Sequence, residues 1–152
     1  MARVSRLIFV VSIFAFVALA ARPVAADSAP VGRWSTIDDN TGKPTSVVRI
    51  VEKDGKLVGT VESLVLAPNE DPNPLCTKCE GERKDKPIIG MTILWDLARD
   101  GNEWSGGRIL DPDNGETYRC YLEVAEGGAK LKVRGYIGFA LLGRTQIWQR
   151  VP

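Results

Sequence analysis

Few groups in this sequence could do chemistry near neutral pH. Among 152 residues there are 3 cysteines and no histidine. The missing histidine removes the commonest general base and the Ser-His-Asp and Cys-His nucleophile arrangements. It also removes mixed Cys-His zinc sites and haem attachment through C-x-x-C-H. Catalysis would have to rest on carboxylates, tyrosine, lysine or thiol. Two of the thiols, Cys76 and Cys79, lie in the stretch LCTKCEGERKDKPIIG, Leu75 to Gly90, and the third is Cys120. A redox C-x-x-C owes its low pKa to the start of a helix in a βαβ unit. Here no helix pattern follows Cys79, and Pro87 lies downstream. A structural zinc site takes four ligands, and three cysteines fall short. The pattern favours a Cys76–Cys79 disulfide as a knuckle in a long loop. A link from one of them to Cys120, and redox or metal work, are the alternatives. A ring this small removes little entropy from the unfolded chain, so its stabilisation is at most about 3 kcal/mol.

The carboxylates cluster in Asp38-Asp39-Asn40-Thr41-Gly42 and Asp111-Pro112-Asp113-Asn114-Gly115. Hard oxygen ligands of this kind suit calcium. Asp111, Asp113 and Gly115 match part of a calcium loop, but the twelfth position, which needs glutamate, is Leu122. Aspartate and asparagine here read better as turn formers, and no metal or cofactor is expected. Two carboxylates facing each other across a rim would also suit glycoside hydrolysis, a weaker reading because sequence does not set their separation. Near the C-terminus Arg144, Gln146, Trp148 and Arg150 share one strand parity. With Trp148 inward, Arg144 and Gln146 line the interior near one end. Arg144 then calls for an anion, either Asp38, Asp39 or Asp111 or a ligand carboxylate. A one-residue slip reverses the faces and puts Ile147 inside, so both parities stay open. The candidate ligand-binding or rim set is Trp34, Asp38, Asp39, Asp111, Arg144 and Gln146, with no catalytic residue singled out.

Short β-like runs separated by turn clusters must position these groups. The runs are Gly32 to Ile37, Thr45 to Glu52, Leu57 to Leu66, Ile88 to Leu97, Glu103 to Leu110, Glu116 to Val124, Lys130 to Ile137 and Arg144 to Arg150. Met91, Ile93, Trp95 and Leu97 share one parity, as do Tyr118, Cys120, Leu122 and Val124. No stretch after the N-terminal segment has the periodicity of an amphipathic helix of ordinary length. The expected fold is all-β, an eight-stranded antiparallel up-and-down barrel, with a sandwich as the alternative. Such a barrel is filled by side chains or holds one small ligand.

A meander sends alternate loops to opposite ends. Asp54-Gly55, Asp100-Gly101 and Gly127-Gly128 make short hairpins at one end. Asp38 to Pro44, Ala67 to Pro87, Asp111 to Gly115 and Gly138 to Gly143 make longer loops at the other. Long loops on a rigid scaffold usually carry function, so this rim is the expected mouth. The apolar segment Ile137 to Gly143 reads as a lid packed on the barrel, or as strand ends drawn too short. The sharper reading is a contact surface for a lipid or a second copy of the chain.

The N-terminus reads as a cleavable signal peptide. Arg3 and Arg6 precede an uncharged apolar run, Leu7 to Ala21, and Val24 and Ala26 suit cleavage after Ala26. Ala20 and Ala21 are the runner-up sites. The run falls short of the roughly 20 residues of a membrane span. The division is therefore a signal peptide over 1–26 and one barrel domain over 27–152, exported to the periplasm or beyond, without a transmembrane anchor once cleaved. The leader takes Arg3, Arg6 and Arg22 of the 20 basic residues and none of the 19 acidic ones. The remainder is weakly acidic, which gives no reason to expect nucleic acid or an anionic membrane as partner.

Gly32-Arg33-Trp34 resembles the Gly-x-Trp that opens the first strand of lipocalins. In that family the tryptophan plugs the closed end of the barrel beneath an arginine from the last strand, for which Arg150 is the candidate here. A nearer resemblance runs from about Val31 to Arg150. Its blocks are GRWSTIDDNTGKP, CTKCEGERKDKPIIGMTI, GGRILDPDNGETY and LKVRGYIGFALLGRTQIWQR. They resemble family 2147 of the domains of unknown function, secreted bacterial proteins with a lipocalin-like (calycin-like) barrel. The resemblance implies fold and secretion and carries no established activity. The functional expectation is a non-catalytic binding module for a small apolar or amphipathic ligand, which a barrel filled by its own side chains would defeat. The alternatives are a protein-interaction or envelope-accessory role, with a homodimer as one form, and a thiol-disulfide redox protein acting through Cys76 and Cys79.

Overall fold

The computed structural model describes residues 29–152; the expected leader, 1–26, lies outside them. The strands are β1 (Gly32–Ile37), β2 (Pro44–Lys53), β3 (Lys56–Leu64), β4 (Thr92–Asp100), β5 (Glu103–Leu110), β6 (Thr117–Ala125), β7 (Lys130–Tyr136) and β8 (Gly143–Val151). Each pairs antiparallel with the next, and Arg33↔Val151, Trp34↔Arg150 and Ser35↔Gln149 close β1 onto β8. The result is a closed barrel with strand order following chain order, so the sandwich alternative falls away. Closure leaves no unpaired edge.

Local chemistry sets the hairpins. Asp54 and Gly55 both have positive φ, 52° and 75°, and join Lys53 to Lys56 in a two-residue turn. That conformation matches the twist of the flanking strands, and Asp-Gly accepts it at little cost. The long-loop end uses another device twice. Asp38 and Asp111 each accept, through their backbone oxygen, from a glycine four residues on, Gly42 and Gly115, at 2.8 Å. Their side chains accept from the backbone of Asn40 and Asp113 at 3.1 and 2.9 Å. The same D-x-x-x-G pattern thus builds the same Asx-type turn at both places.

β4 departs from simple alternation. Opposite Leu57 and Gly59 of β3 stand Leu97 and Leu94, so β4 carries an extra residue there. Asp96 takes it up with φ of 62°. The bulge re-aims the side chains around it. Leu94 and Leu97 are both fully buried, whereas Trp95, expected on the side of Leu97, is half-buried and lies 4.4 Å under the Arg83 guanidinium. The strand also begins later than expected, because Ile88 to Met91 turn tightly onto Val61: Gly90 donates to Val61 O and Val61 to Met91 O.

Every strand contributes to one interior cluster. Trp34, Val48, Leu57, Leu94, Trp104, Leu122, Leu131 and Trp148, taken from β1 through β8, are all buried. Gly59 makes room among them, since a Cβ there would lie 2.7 Å from the Leu94 Cβ. These buried side chains form one packed cluster, and Trp34 and Arg150 lie at the short-hairpin end. There the Trp34 indole donates to Pro30 O at 2.7 Å and sits 4.2 Å beneath the Arg150 guanidinium. Arg150 donates in turn to Gly128 O, Val31 O and Ala29 O. One side chain thereby ties the entry to β1, the β6–β7 turn and β8 together, as the Gly-x-Trp resemblance implies.

Candidate functional site

The four longer loops lie together at the end opposite Trp34. On β8, Trp148 is buried and Ile147 is exposed, which selects the parity with Gln146 inward. Gln146 Oε1 accepts from the Trp148 indole at 3.2 Å, so it orients that ring. Arg144 reaches across the rim to Asp39, with Nε and Nη2 at 2.6 and 2.5 Å from Oδ2. Both partners remain well exposed, so this ion pair contributes at most about 1 kcal/mol; its effect is to fix the β1–β2 turn against β8. Asp38 accepts from the Thr41 backbone and hydroxyl at 2.7 and 2.8 Å. The bond from the Thr41 hydroxyl is the main cause of its lowered pKa. Asp111 accepts from Asn114 Nδ2 at 3.2 Å, and Asn114 also donates to the Tyr118 hydroxyl at 2.9 Å.

The sequence candidates therefore do not form one constellation. Trp34 plugs the far end, Asp38 and Asp111 fasten their own turns, Gln146 serves Trp148, and only Asp39 and Arg144 meet across the rim. Among the described residues, no three Asp, Glu, His or Cys side chains converge as a metal site.

Cys76 and Cys79 are joined in a disulfide, and both are buried. Cys76 N donates to Lys86 O, Asp85 N to Cys76 O and Ile88 N to Pro74 O, so the loop closes on the knuckle through its own backbone. Lys84 Nζ donates to Thr77 O, and Lys78 Nζ to Asp113 O at 2.7 Å on the β5–β6 turn. Gly115 of that turn lies directly against Lys78 O. A disulfide so covered is poorly placed to meet a partner thiol, and exchange depends on such access. Cys120 is fully buried on β6, and burial pushes its thiol up to about 12, so it stays protonated and inert. Thiol titration checks both assignments. The native protein should show no reactive thiol, unfolding without reductant should expose one, and unfolding with reductant three. Three thiols without reductant would refute the staple.

The β7–β8 turn overturns the packed-lid expectation. Ile137, Phe139, Leu141 and Leu142 are 67, 77, 90 and 71% exposed. The cause is Arg134 on β7. Its Nε donates to Ala140 O at 2.6 Å, Nη2 to Leu141 O at 3.2 Å and Nη1 to Thr145 Oγ1 at 2.8 Å. Satisfied from the strands in this way, the turn's carbonyls hold it at the outer side of the barrel, away from the core. Beside it is a surface groove of about 320 Å³ lined by Arg108, Thr117, Arg119, Tyr136, Ile137 and Gly138. A second, of about 330 Å³, lies under the long loop between Glu82 and Thr92. Both open outside the lumen. Sequence reasoning passed over Arg108 and Arg119, whose only signal is that they alternate with core positions on strands of known register. Among the described residues no helix is long and apolar enough to cross a membrane.

A family model described as "Uncharacterized protein conserved in bacteria (DUF2147)" matches residues 32–150. No curated protein matches the chain. Among solved structures, a similar one is described as "Protein HP1028 from the human pathogen Helicobacter pylori belongs to the lipocalin family". It is 20% identical, covers 80% of this chain and 82% of its own, and superposes with a TM-score of 0.68. At that identity the likeness concerns the fold.

Proposed function

We infer, from the premise that the chain belongs to the DUF2147 family of uncharacterised bacterial proteins, that it is an exported, non-catalytic binding protein whose contact surface is the rim rather than the lumen. The observation that carries this reading is the β7–β8 turn, four large apolar side chains held in solvent by Arg134. Exposed apolar surface of this kind is rare on a protein without an apolar partner. The interior favours the same reading. A lipocalin-like barrel is compatible with a small ligand, but the buried side chains of all eight strands pack into one cluster here. The chemistry available points away from catalysis too. Cys120 is buried and protonated, the disulfide is covered, and the rim carboxylates are committed to turns or to Arg144.

The test is envelope fractionation of bacteria expressing the full chain. The wild-type protein should sediment in part with the envelope, and the Leu141→Asp/Leu142→Asp double variant should be released by osmotic shock. Both leucines are exposed, so the variant should unfold at the wild-type temperature. Equal release of the two proteins would overturn the reading. So would a native mass spectrum of detergent-free protein carrying a discrete extra mass lost on denaturation, which would return the function to a ligand inside the barrel.

A further inference from the structure

Resting on the rim reading, we propose that the apolar surface this rim meets is an anionic lipid bilayer, with Arg108 and Arg119 as the headgroup site. The two arginines stand directly opposite each other on β5 and β6, with Arg119 opposite Tyr136 of β7 in turn. Both are exposed. Neither has a hydrogen bond or ion pair among the described residues, although Arg33, Arg49, Arg134, Arg144 and Arg150 all do. Like charges directly opposite on a sheet repel, so the pair costs the isolated barrel stability and has no internal compensation. Two forks of donors side by side suit phosphate oxygens shared between them.

The surroundings name the source of that phosphate. The groove lined by the two arginines is continuous with the exposed turn, because Tyr136, Ile137 and Gly138 line it too. The Tyr121 and Tyr136 rings lie 6.4 Å apart on the same face. From the turn inward the apolar tip comes first, then Tyr136 level with the paired cations, then Tyr121 two residues further along β6. An apolar tip backed by tyrosine and arginine at one level suits a bilayer surface, with the apolar side chains among acyl chains and the tyrosine and arginines together at the headgroup level. A soluble phosphate or an acidic protein would use the arginines but gives no reason to hold Leu141 and Phe139 in water. The weak net charge of the whole chain does not oppose this, since the attraction acts within a Debye length of the local pair.

The experiment is co-sedimentation with vesicles of phosphatidylcholine alone or with added phosphatidylglycerol, at low and high salt. Wild-type protein should bind the anionic vesicles, lose binding as salt rises, and bind the zwitterionic ones far less. Arg108→Gln/Arg119→Gln should bind the anionic vesicles roughly 20–30-fold more weakly, at about one kcal/mol of attraction per cation. It should be at least as stable as wild type, because a repulsive pair has been removed; a merely structural role for the arginines predicts the reverse. Leu141→Asp/Leu142→Asp should bind neither vesicle. Equal binding to both vesicle types, lost only in the leucine variant, would overturn the headgroup site and leave the rim reading standing. If no vesicle is bound while the leucine variant still leaves the envelope fraction in cells, the rim partner is a protein and the lipid inference is wrong. Loss of both behaviours would remove the rim reading as well.

Discussion

Trp34→Ala should lower the unfolding free energy by about 3–5 kcal/mol, the range for truncating a buried aromatic to alanine. The indole is fully buried, so its removal opens a cavity in the interior cluster. It also strands Pro30 O, which accepts from the indole nitrogen, and removes the ring beneath the Arg150 guanidinium. Equilibrium urea unfolding measures the loss. Trp34→Phe separates the contributions, because it keeps most of the apolar volume and the ring face and deletes the N–H. It should fall between wild type and alanine. A loss below about 1 kcal/mol for alanine, against that expectation, would mean that the closed end collapses onto the gap and that Trp34 is no plug. Arg150→Met probes the same end from the other side. It retains the aliphatic stem but leaves three carbonyls without their shared donor, and buried acceptors without donors are costly.

The second large effect is expected at Gly115, where two penalties coincide. Its φ is 80°, a region that side chains with a Cβ rarely adopt. An added Cβ would stand 2.0 Å from Lys78 O and 2.5 Å from Lys78 C, so the backbone of the disulfide knuckle would have to move. Gly42 occupies the equivalent place in the β1–β2 turn with φ of 67°, but nothing lies within 4 Å of its Cβ position. Gly42→Ala should therefore cost only the conformational term, about 1 kcal/mol. Gly115→Ala should cost about 3–4 kcal/mol once the overpacking is added. The difference between the two variants isolates the contact between the β5–β6 turn and the long loop. Displacing that contact should also uncover Cys76–Cys79, so dithiothreitol should reduce the disulfide faster in Gly115→Ala than in wild type. Equal stabilities for the two variants would show that the turn and the knuckle are not packed together.

Turn chemistry is local, and it was legible at once. Asp54-Gly55 specifies a two-residue hairpin whatever surrounds it, and D-x-x-x-G closes Asp38 to Gly42 and Asp111 to Gly115 through its own backbone. The order of short and long turns then divided the loops between two ends. Gly32-Arg33-Trp34 with Arg150 marked which end is plugged, and the cysteine spacing favoured the knuckle that the structure contains. What the sequence left open is what register decides. The bulge at Asp96 adds one residue to β4 and exchanges the faces around Leu94 and Trp95; no residue type there announces it. Whether Gln146 or Ile147 faces inward depended on how β8 pairs with both β7 and β1, and only barrel closure chose.

Fold class and the positions of the turns thus belong to the sequence itself, because each rests on residues near one another in the chain. The single interior cluster, the outward β7–β8 turn and the Arg108–Arg119 pair belong to the tertiary structure. The first needs buried side chains from all eight strands to pack into one cluster. The second turns on Arg134 reaching Ala140 and Leu141 carbonyls that its neighbours in sequence do not touch. The third brings two like charges face to face through strand pairing. Periodicity assigns a residue to a face, but only the register of the closed sheet says which residue it will meet there.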